Sequence, residues 1–418
     1  MQTKKDVIVI KFGGTSVGDA DRIKRVADRV IKAKNEGSDV VVVVSAMGDT
    51  TDDLIDLANS VAKNQDRREM DMLLSTGEQV SVALLALAIQ EKGHPAISMT
   101  GMQAGIHTDD VYSNAKILFI NGTRILKEIR NGNIVVIAGF QGLNSFGDIT
   151  TLGRGGSDTT AVAIAAALKA KYCEIYTDVD GVYTTDPNVV ADAQKIDRLS
   201  FEEMLELASS GAKVLHLRAV EFARKHDVVI QVRSSFNDNE GTWVMEDFKK
   251  NDKMERPLVT GVAYDPNQVK ITVFGLQDKP GIASGLFGAF AQNNISVDLI
   301  VQNIGEKGVA TISFTVKNED LLIAQKVLES LKGTVSYSSL DIDADVAKVS
   351  IVGAGMQTHP GVAAKMFELF ANEGINIQMI STSPIRISCV IRKEQVKNAV
   401  RILHSGFGLE KREVYKGD

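Results

Sequence analysis

Shifted by 80 positions, the C-terminal part of the chain overlays itself, Val269–Ile300 on Val349–Ile380, without a gap. Gly275 falls on Gly355, Pro280–Gly281 on Pro360–Gly361, Phe287 on Phe367, Phe290 on Phe370 and Ile295 on Ile375. Val297 and Ile300 fall on Ile377 and Ile380. Self-similarity at a fixed period means one structural unit built twice. Each copy reads strand, Pro-Gly turn, amphipathic helix, strand, and a further strand and helix follow. Two βαββαβ modules are therefore expected, at 259–342 and 343–418. Val259–Ala263 is a spare strand ahead of the repeat, available for exchange between the modules.

The remainder of the 418 residues is too long to be an appendage, and two or three domains are expected in all. Up to about residue 245 the pattern alternates strand and helix. Val7–Ile10 and Val40–Val44 are β-branched runs of the kind buried in parallel sheets. Between them Ile23, Val26, Ala27, Val30 and Ile31 recur at helical spacing, and Gly37 follows as a stop. Further strands are predicted at Ala96–Thr100, Ile134–Ala138, Glu174–Thr177 and Val228–Val232. Helices are predicted at Gln79–Gln90, Thr159–Lys169 and Phe201–Ala208, with Ser200 and Glu203 as a capping box for the last. This alternation predicts a three-layer α/β/α domain over 1–245, with ligands beyond the carboxyl ends of the strands. A charged segment, EDFKKNDKMERP, places a linker at 246–258. The expected fold class is thus α/β, followed by two α+β modules.

Composition narrows the function. A formal net charge of −6 and the lack of a long basic run argue against nucleic acid or an anionic membrane as partner. The purely apolar stretches are too short to span a bilayer, and the N-terminal MQTKKDVIVIKFGG lacks the apolar core of a signal peptide. Two distant cysteines, Cys173 and Cys389, fit a reducing cytoplasm and give no disulfide framework or zinc cluster. The six histidines show no metal-ligand spacing.

Six motifs carry chemistry. KFGGTS (11–16) follows the first strand: Gly13 and Gly14 let backbone amides approach an anion and Lys11 adds a positive charge, although a Gly-Gly turn after a strand is commonly only a turn. SAMGDTTD (45–52) offers Ser45 and Thr51 as donors to a carboxylate, or simply a helix cap. STGEQVS (75–81) puts Glu78 in the first turn of an apolar helix, where it either grips a substrate ammonium or answers the helix dipole. TTLGRGGSDTTA (150–161) is a glycine-rich, charged loop before an Ala-rich helix, a strong anion-site candidate, with Arg154 suited to a bidentate carboxylate contact. YTDVDGVYTTDP (176–187) is a strand and turn-rich loop whose Asp and Tyr suit a ribose and a base, or a plain hairpin turn. GAKVLH (211–216) has Lys213 opening a helix; a solvated lysine is the default there.

In this order the six motifs resemble the amino-acid-kinase family, and within it the aspartate kinases, over essentially the full length. The repeat resembles a pair of ACT domains, with DKPG (278–281) and THPG (358–361) at their effector turns. The pattern is most similar to the monofunctional, Gram-positive-type enzymes. The resemblance implies that Lys11 and Lys213 neutralise the phosphates of ATP, that Gly13 and Gly14 present amides to them, and that Asp158 orients the lysines. It implies that Arg154 binds the α-carboxylate of L-aspartate and Glu78 its ammonium, with Ser45, Thr51 and Ser157 nearby. Thr177, Asp178, Tyr183 and Asp186 would border the nucleotide, and Mg²⁺ would travel on the phosphates. One position departs from the pattern: many relatives have Arg directly after TTDP, where this chain has Asn188.

For the tail, the resemblance implies side-by-side pairing into a homodimer or higher oligomer and control by lysine, threonine or both. The expected effector contacts are Asp278, Gly281, Ile282, Ala283, Gln302 and Asn303 in the first module. In the second they are Val362, Asn376, Ile377, Thr382 and Ser383. The competing readings are a kinase of the same fold acting on another acceptor, and a non-catalytic amino-acid sensor.

Overall fold

The computed structural model describes residues 5–246, 258–305, 308–333 and 335–411. The linker expected at 246–258 lies, but for its two end residues, outside the described residues. Two compact units emerge. The first comprises Met1–Val182, Lys195–Ala208 and Lys213–Lys253; the second comprises Tyr183–Gln194, Ser209–Ala212 and Met254–Asp418.

The first unit is built on an eight-stranded sheet. Its strands are β1 (Val7–Phe12), β2 (Asp39–Val44), β3 (Ala96–Met99), β6 (Ile134–Ala138), β9 (Cys173–Thr177), β10 (Arg198–Ser200), β11 (Ile230–Ser234) and β12 (Thr242–Met245). Their order is β10-β12-β11-β9-β1-β2-β6-β3, and the central pairs are parallel. Strands β2 and β6 have almost every residue buried, which explains why they read as unbroken Val and Ile runs rather than alternating ones. One face, with Ile8, Ile10 and Phe12 of β1 and Val40, Val42 and Val44 of β2, packs on α1 (Ala20–Asn35) and α3 (Arg67–Glu91). On the opposite side α5 (Gly156–Leu168), wrapped on nearly all sides, lies against β1 and β2, completing the three layers. A second, four-stranded sheet is made of β4 (Ile106–Thr108), β5 (Ile117–Ile120), β7 (Gln141–Leu143) and β8 (Ile149–Thr151). The remaining helices are α2 (Thr50–Val61), α4 (Thr123–Arg130), α6 (Phe201–Ser209) and α7 (Leu217–His226).

Two expectations need correction here. The helix predicted at Gln79–Gln90 is only the second half of α3, which begins at Arg67 with Asp66 accepting from the amides of Arg68 and Glu69. Glu78 therefore sits in mid-helix, and the dipole of a first turn cannot account for it. By length and composition α3 is also apolar enough to cross a membrane, a segment that the short apolar runs conceal, yet its buried residues include Asp71, Ser75, Glu78 and Ser81. Second, Lys213 does not open a helix: α7 starts at Leu217, after a turn in which Gly211 takes φ of 112°. The capping box is present as expected, with Ser200 N and Oγ donating to Glu203 Oε2 at 3.1 and 2.9 Å.

The second unit is a single six-stranded sheet, ordered β14-β15-β13-β16-β18-β17. Its strands are β13 (Gly261–Gln277), β14 (Ile300–Ile304), β15 (Val309–Lys317), β16 (Ser339–Val352), β17 (Met379–Ser383) and β18 (Arg386–Arg392), and its helices are α8 (Ile282–Gln292), α9 (Leu321–Ser330), α10 (Val362–Asn372) and α11 (Val396–Gly406). The two copies of the repeat superpose element for element: β13, α8, β14, β15 and α9 answer β16, α10, β17, β18 and α11. The two long strands serve both copies. Gly261–Asp265 pairs with the far half of β16, Lys348–Val352, whereas Lys270–Phe274 pairs with its near half, Ser339–Asp343. Val259 and Val262 accordingly join the core of the second copy, with Val349, Met366 and Leu403. The spare strand is thus placed on the second copy.

Candidate active site

A cavity of about 440 Å³ opens at the carboxyl end of β1 and β2 in the first unit. Lys11, Gly14, Ser45, Thr51, Glu78, Arg154, Ser157 and Asp158 all line it. The sequence scatters these residues over nearly 150 positions; the parallel sheet gathers them because every strand ends at the same edge.

Lys11 comes from β1 and Asp158 from the first turn of α5. Their Nζ and Oδ1 atoms are 2.6 Å apart, with the side chains only 11% and 13% exposed. Low exposure keeps the pair from being screened, so the ammonium is held in one place. Two loops meet beside it. Gly14 O accepts from Gly48 N at 3.0 Å, and a Cβ at Gly14 would lie 2.8 Å from Ala46 O, so only glycine permits this approach. Gly13 stands next to Lys11, where a Cβ would lie 3.5 Å from its Nζ.

Glu78 reaches the cavity from α3. Its Oε1 accepts from Ala46 N at 3.2 Å, while Oε2 is buried and has no partner among the described residues. Burial pushes its pKa up to about 7, against which the Ala46 amide pulls it down. A buried carboxylate oxygen with a free lone pair is a costly thing to keep. A cationic group arriving from the cavity would remove that cost. Arg154 lines the same cavity from the Gly-rich loop, exposed and in no ion pair among the described residues. The loop's shape depends on glycine: Gly153 and Gly155 take φ of 76° and 69°, and a Cβ on Gly155 would strike the His216 ring at 2.1 Å. Ser45 follows β2, with its amide donating to Phe12 O at 3.1 Å, and Thr51 stands in the first turn of α2. Asp49 at that helix's N-cap makes no side-chain cap, so capping does not explain this motif.

The other predicted residues are not on this cavity. Thr177 ends β9, its hydroxyl donating to Asp178 at 3.0 Å. Lys213 is exposed in the loop before α7. Tyr183 and Asp186 belong to the second unit. In that unit Gly281 and Gly361 occupy equivalent N-caps of α8 and α10, with φ of 96° and 103°, and Ile282, Ala283 and Val362 open those helices. Asp278 precedes the first turn; Gln302 and Asn303 lie on β14, Thr382 and Ser383 on β17, and Asn376 and Ile377 just before β17.

One residue was missed. Asp71 is fully buried on α3, two turns before Glu78. It accepts from the amide and hydroxyl of Ser113 at 2.9 and 3.2 Å, and from those of Thr151 at 2.9 and 2.8 Å. Both Ser113 and Thr151 line the cavity. The signal was available: Asp71, Ser75, Glu78 and Ser81 form a polar stripe at helical spacing along an apolar segment.

The profile of the amino acid kinase family matches residues 6–234, and ACT domain profiles match 270–335 and 349–407. The chain is 52% identical over 404 residues to the aspartokinase of Bacillus sp. (strain MGA3), covering 96% of this chain and 97% of that one. Among solved structures, E. coli aspartokinase III in complex with aspartate and ADP aligns with a TM-score of 0.82 at 28% identity, over 96% of this chain and 99% of that chain. The same enzyme in complex with lysine and aspartate aligns with a TM-score of 0.73, also at 28% identity, over the same shares.

Proposed function

We propose a division of labour for a chain that belongs to the amino acid kinase family and, within it, to the aspartokinases, enzymes that phosphorylate aspartate. The observation that carries it is one cavity lined by Glu78, whose Oε2 has no partner among the described residues, by Arg154, in no ion pair among them, and by the Lys11–Asp158 pair. Glu78 takes the ammonium of L-aspartate and Arg154 its α-carboxylate, with Ser45, Thr51 and Ser157 donating hydrogen bonds beside them. The β-carboxylate is left as nucleophile. It is ionised near pH 7, so no general base is required. One of its oxygens bonds to the γ-phosphorus of ATP as the bond to the β,γ-bridging oxygen breaks, giving 4-phospho-L-aspartate and ADP.

What such a transfer needs is alignment and offset of negative charge. Lys11 and Lys213, together with the amides of Gly13 and Gly14, provide the offset, and Asp158 fixes Lys11. Thr177, Asp178, Tyr183 and Asp186 border the nucleotide. Mg²⁺, bound with the nucleotide, would supply further charge neutralisation. Asp158 is already spent on Lys11, which fits a cation carried by the nucleotide and water rather than by a protein cage.

The same reading gives the tail to lysine or threonine, singly or jointly. They bind at the Pro-Gly turns, through Asp278, Gly281, Ile282, Ala283, Gln302 and Asn303 and through Val362, Asn376, Ile377, Thr382 and Ser383, in a homodimer or larger assembly. It keeps a kinase domain followed by two modules, though Val259 and Val262 join the second module rather than the first and two stretches inside 1–245 fold with the tail, and it places the reaction in the cytoplasm, as the first step toward lysine, threonine and methionine. A coupled assay of ADP release tests the core of it: release with aspartate, and none above background with glutamate or without acceptor. Release independent of aspartate overturns the substrate assignment.

A further inference from the structure

Two short stretches that lie inside kinase motifs fold with the repeat. Tyr183–Gln194 and Ser209–Ala212 belong to the second unit, while the residues that flank them in sequence, Val182 and Lys195, Ala208 and Lys213, belong to the first. The first stretch carries Asp186; the second runs straight into Lys213.

Each is held by named groups of the second unit. Thr184 O accepts from Val262 N at 2.7 Å, and Thr184 Oγ1 lies 2.9 Å from His404 Nε2, both side chains being buried. Tyr264 OH donates to Asp186 Oδ2 at 3.0 Å, while Asp186 Oδ1 accepts from Asn188 N at 2.9 Å. Both oxygens of Asp186 therefore have a partner. In the second stretch, Lys348 Nζ donates to Ser209 O at 3.1 Å and is paired with Asp298, its side chain 1% exposed. Arg386 donates to Ser209 Oγ at 3.2 Å. A Cβ at Gly211 would lie 2.1 Å from Tyr264 O, so the backbones touch where only glycine fits. Tyr264 and Lys348 are neighbours across one ladder, since Tyr264 pairs with Val349 and Asp265 with Lys348.

A buried lysine is a poor device for stability alone, because an apolar residue of the same volume usually does as well. A hydroxyl reaching one carboxylate likewise adds little to a strand. What both do well is fix a position.

We propose that Tyr264 and Lys348 are positioning residues for the nucleotide side of the reaction, Tyr264 through Asp186 and Lys348 through the Ser209–Ala212 stretch ahead of Lys213. This rests on the assignment of Asp186 and Lys213 to the nucleotide. The two residues touch neither substrate. They set the backbone from which the nucleotide contacts extend, so their loss should be felt by ATP and not by aspartate.

The experiment uses the full-length chain, with initial rates measured against each substrate at saturation of the other. Tyr264→Phe removes one hydroxyl and Lys348→Met keeps the volume. Tyr264→Phe is expected to raise KM for ATP about tenfold, the scale of one hydrogen bond to a charged group. KM for aspartate and the melting temperature should hold. Lys348→Met should raise KM for ATP or lower kcat, again sparing aspartate. In the double variant Tyr264→Phe with Asp186→Asn, the ATP effect should be no larger than for Asp186→Asn alone. An unchanged KM for ATP in Tyr264→Phe, or two KM values that rise together with a fall in melting temperature, overturns the proposal. Lys213→Ala separates the two levels. If it lowers kcat or ATP affinity while Tyr264→Phe and Lys348→Met do not, positioning alone is wrong. If it changes neither, the assignment of Lys213 is wrong, and Tyr264→Phe still judges the arm through Asp186.

Discussion

The cavity around Lys11 and Glu78 and the two stretches Tyr183–Gln194 and Ser209–Ala212 are built on opposite plans. Every residue lining the cavity belongs to the first unit, and its key groups are fixed by that unit's own sheet and helices. The stretches at Tyr183–Gln194 and Ser209–Ala212 take their shape from the repeat. Where a site is self-contained, its geometry survives whatever a regulatory tail does. Where a loop is lent to the tail, its geometry becomes adjustable. On this reading the chain keeps acceptor recognition constant and exposes the nucleotide side to control.

The largest expected effect tests the self-contained half. Lys11→Ala should lower kcat by about 100-fold or more, the scale for one lost preorganised electrostatic contact. Near-normal turnover in a folded variant would remove Lys11 from the mechanism and with it the idea that this unit alone sets the charge.

Glu78→Gln comes next. It keeps the shape and the bond to Ala46 but removes the charge proposed to receive the ammonium, and KM for aspartate should rise roughly 10–100-fold, as for a lost charged hydrogen bond. KM for ATP should stay put. An equal change in both constants would break the contrast between the two regions and make Glu78 structural.

A gentler test needs no mutation. Burial raises the pKa of Glu78 to about 7, so in the free enzyme the group is largely protonated below that pH and must ionise to hold an ammonium. Between pH 8 and pH 6 KM for aspartate should climb about tenfold, with no parallel rise for ATP. The same sign applies to stability. A raised folded-state pKa contributes stability that is present below the ordinary Glu value and is lost as pH rises through 7. Glu78→Gln should flatten both pH profiles.

The smallest expected effect lies in the repeat. Lysine, threonine or both should inhibit by at least about fivefold in apparent affinity, the low end of usual coupling. Gln302→Ala or Thr382→Ala should relieve this while leaving the uninhibited rate nearly unchanged. If neither amino acid at millimolar concentration alters the rate or melting temperature of the wild type, the repeat does not sense them.

Much of this was legible before any coordinates. The Val and Ile runs of β2 and β6 announce central parallel strands because burial on both faces removes the need for alternation. Most of the cavity's polar residues were legible as motifs because they end or follow a strand, as Lys11 ends β1 and Ser45 follows β2; Glu78, in mid-α3, does not. What failed was helix length: α3 begins among charged residues, and the prediction started where the apolar stretch did, which moved Glu78 into a first turn. Lys213 was misjudged because an apolar sequence, VLHL, follows it, whereas Gly211 and the turn after it delay the helix to Leu217. No periodicity could reveal that Thr184 and Ser209 fold with residues as remote as His404 and Lys348. That information exists only in long-range packing.

The long strands shared by the two copies also bear on how the chain is made. On a ribosome, Gly261–Asp265 is released well before its partner Lys348–Val352 exists. About 90 further residues must be synthesised first, roughly 5–20 s at usual rates. Through that interval Gly261–Asp265 waits without its strand partner, whereas the first copy can close on Ser339–Asp343 a few residues earlier. The second copy is therefore finished only by a strand made before the first, and the tail is closed by its oldest and its newest segments together.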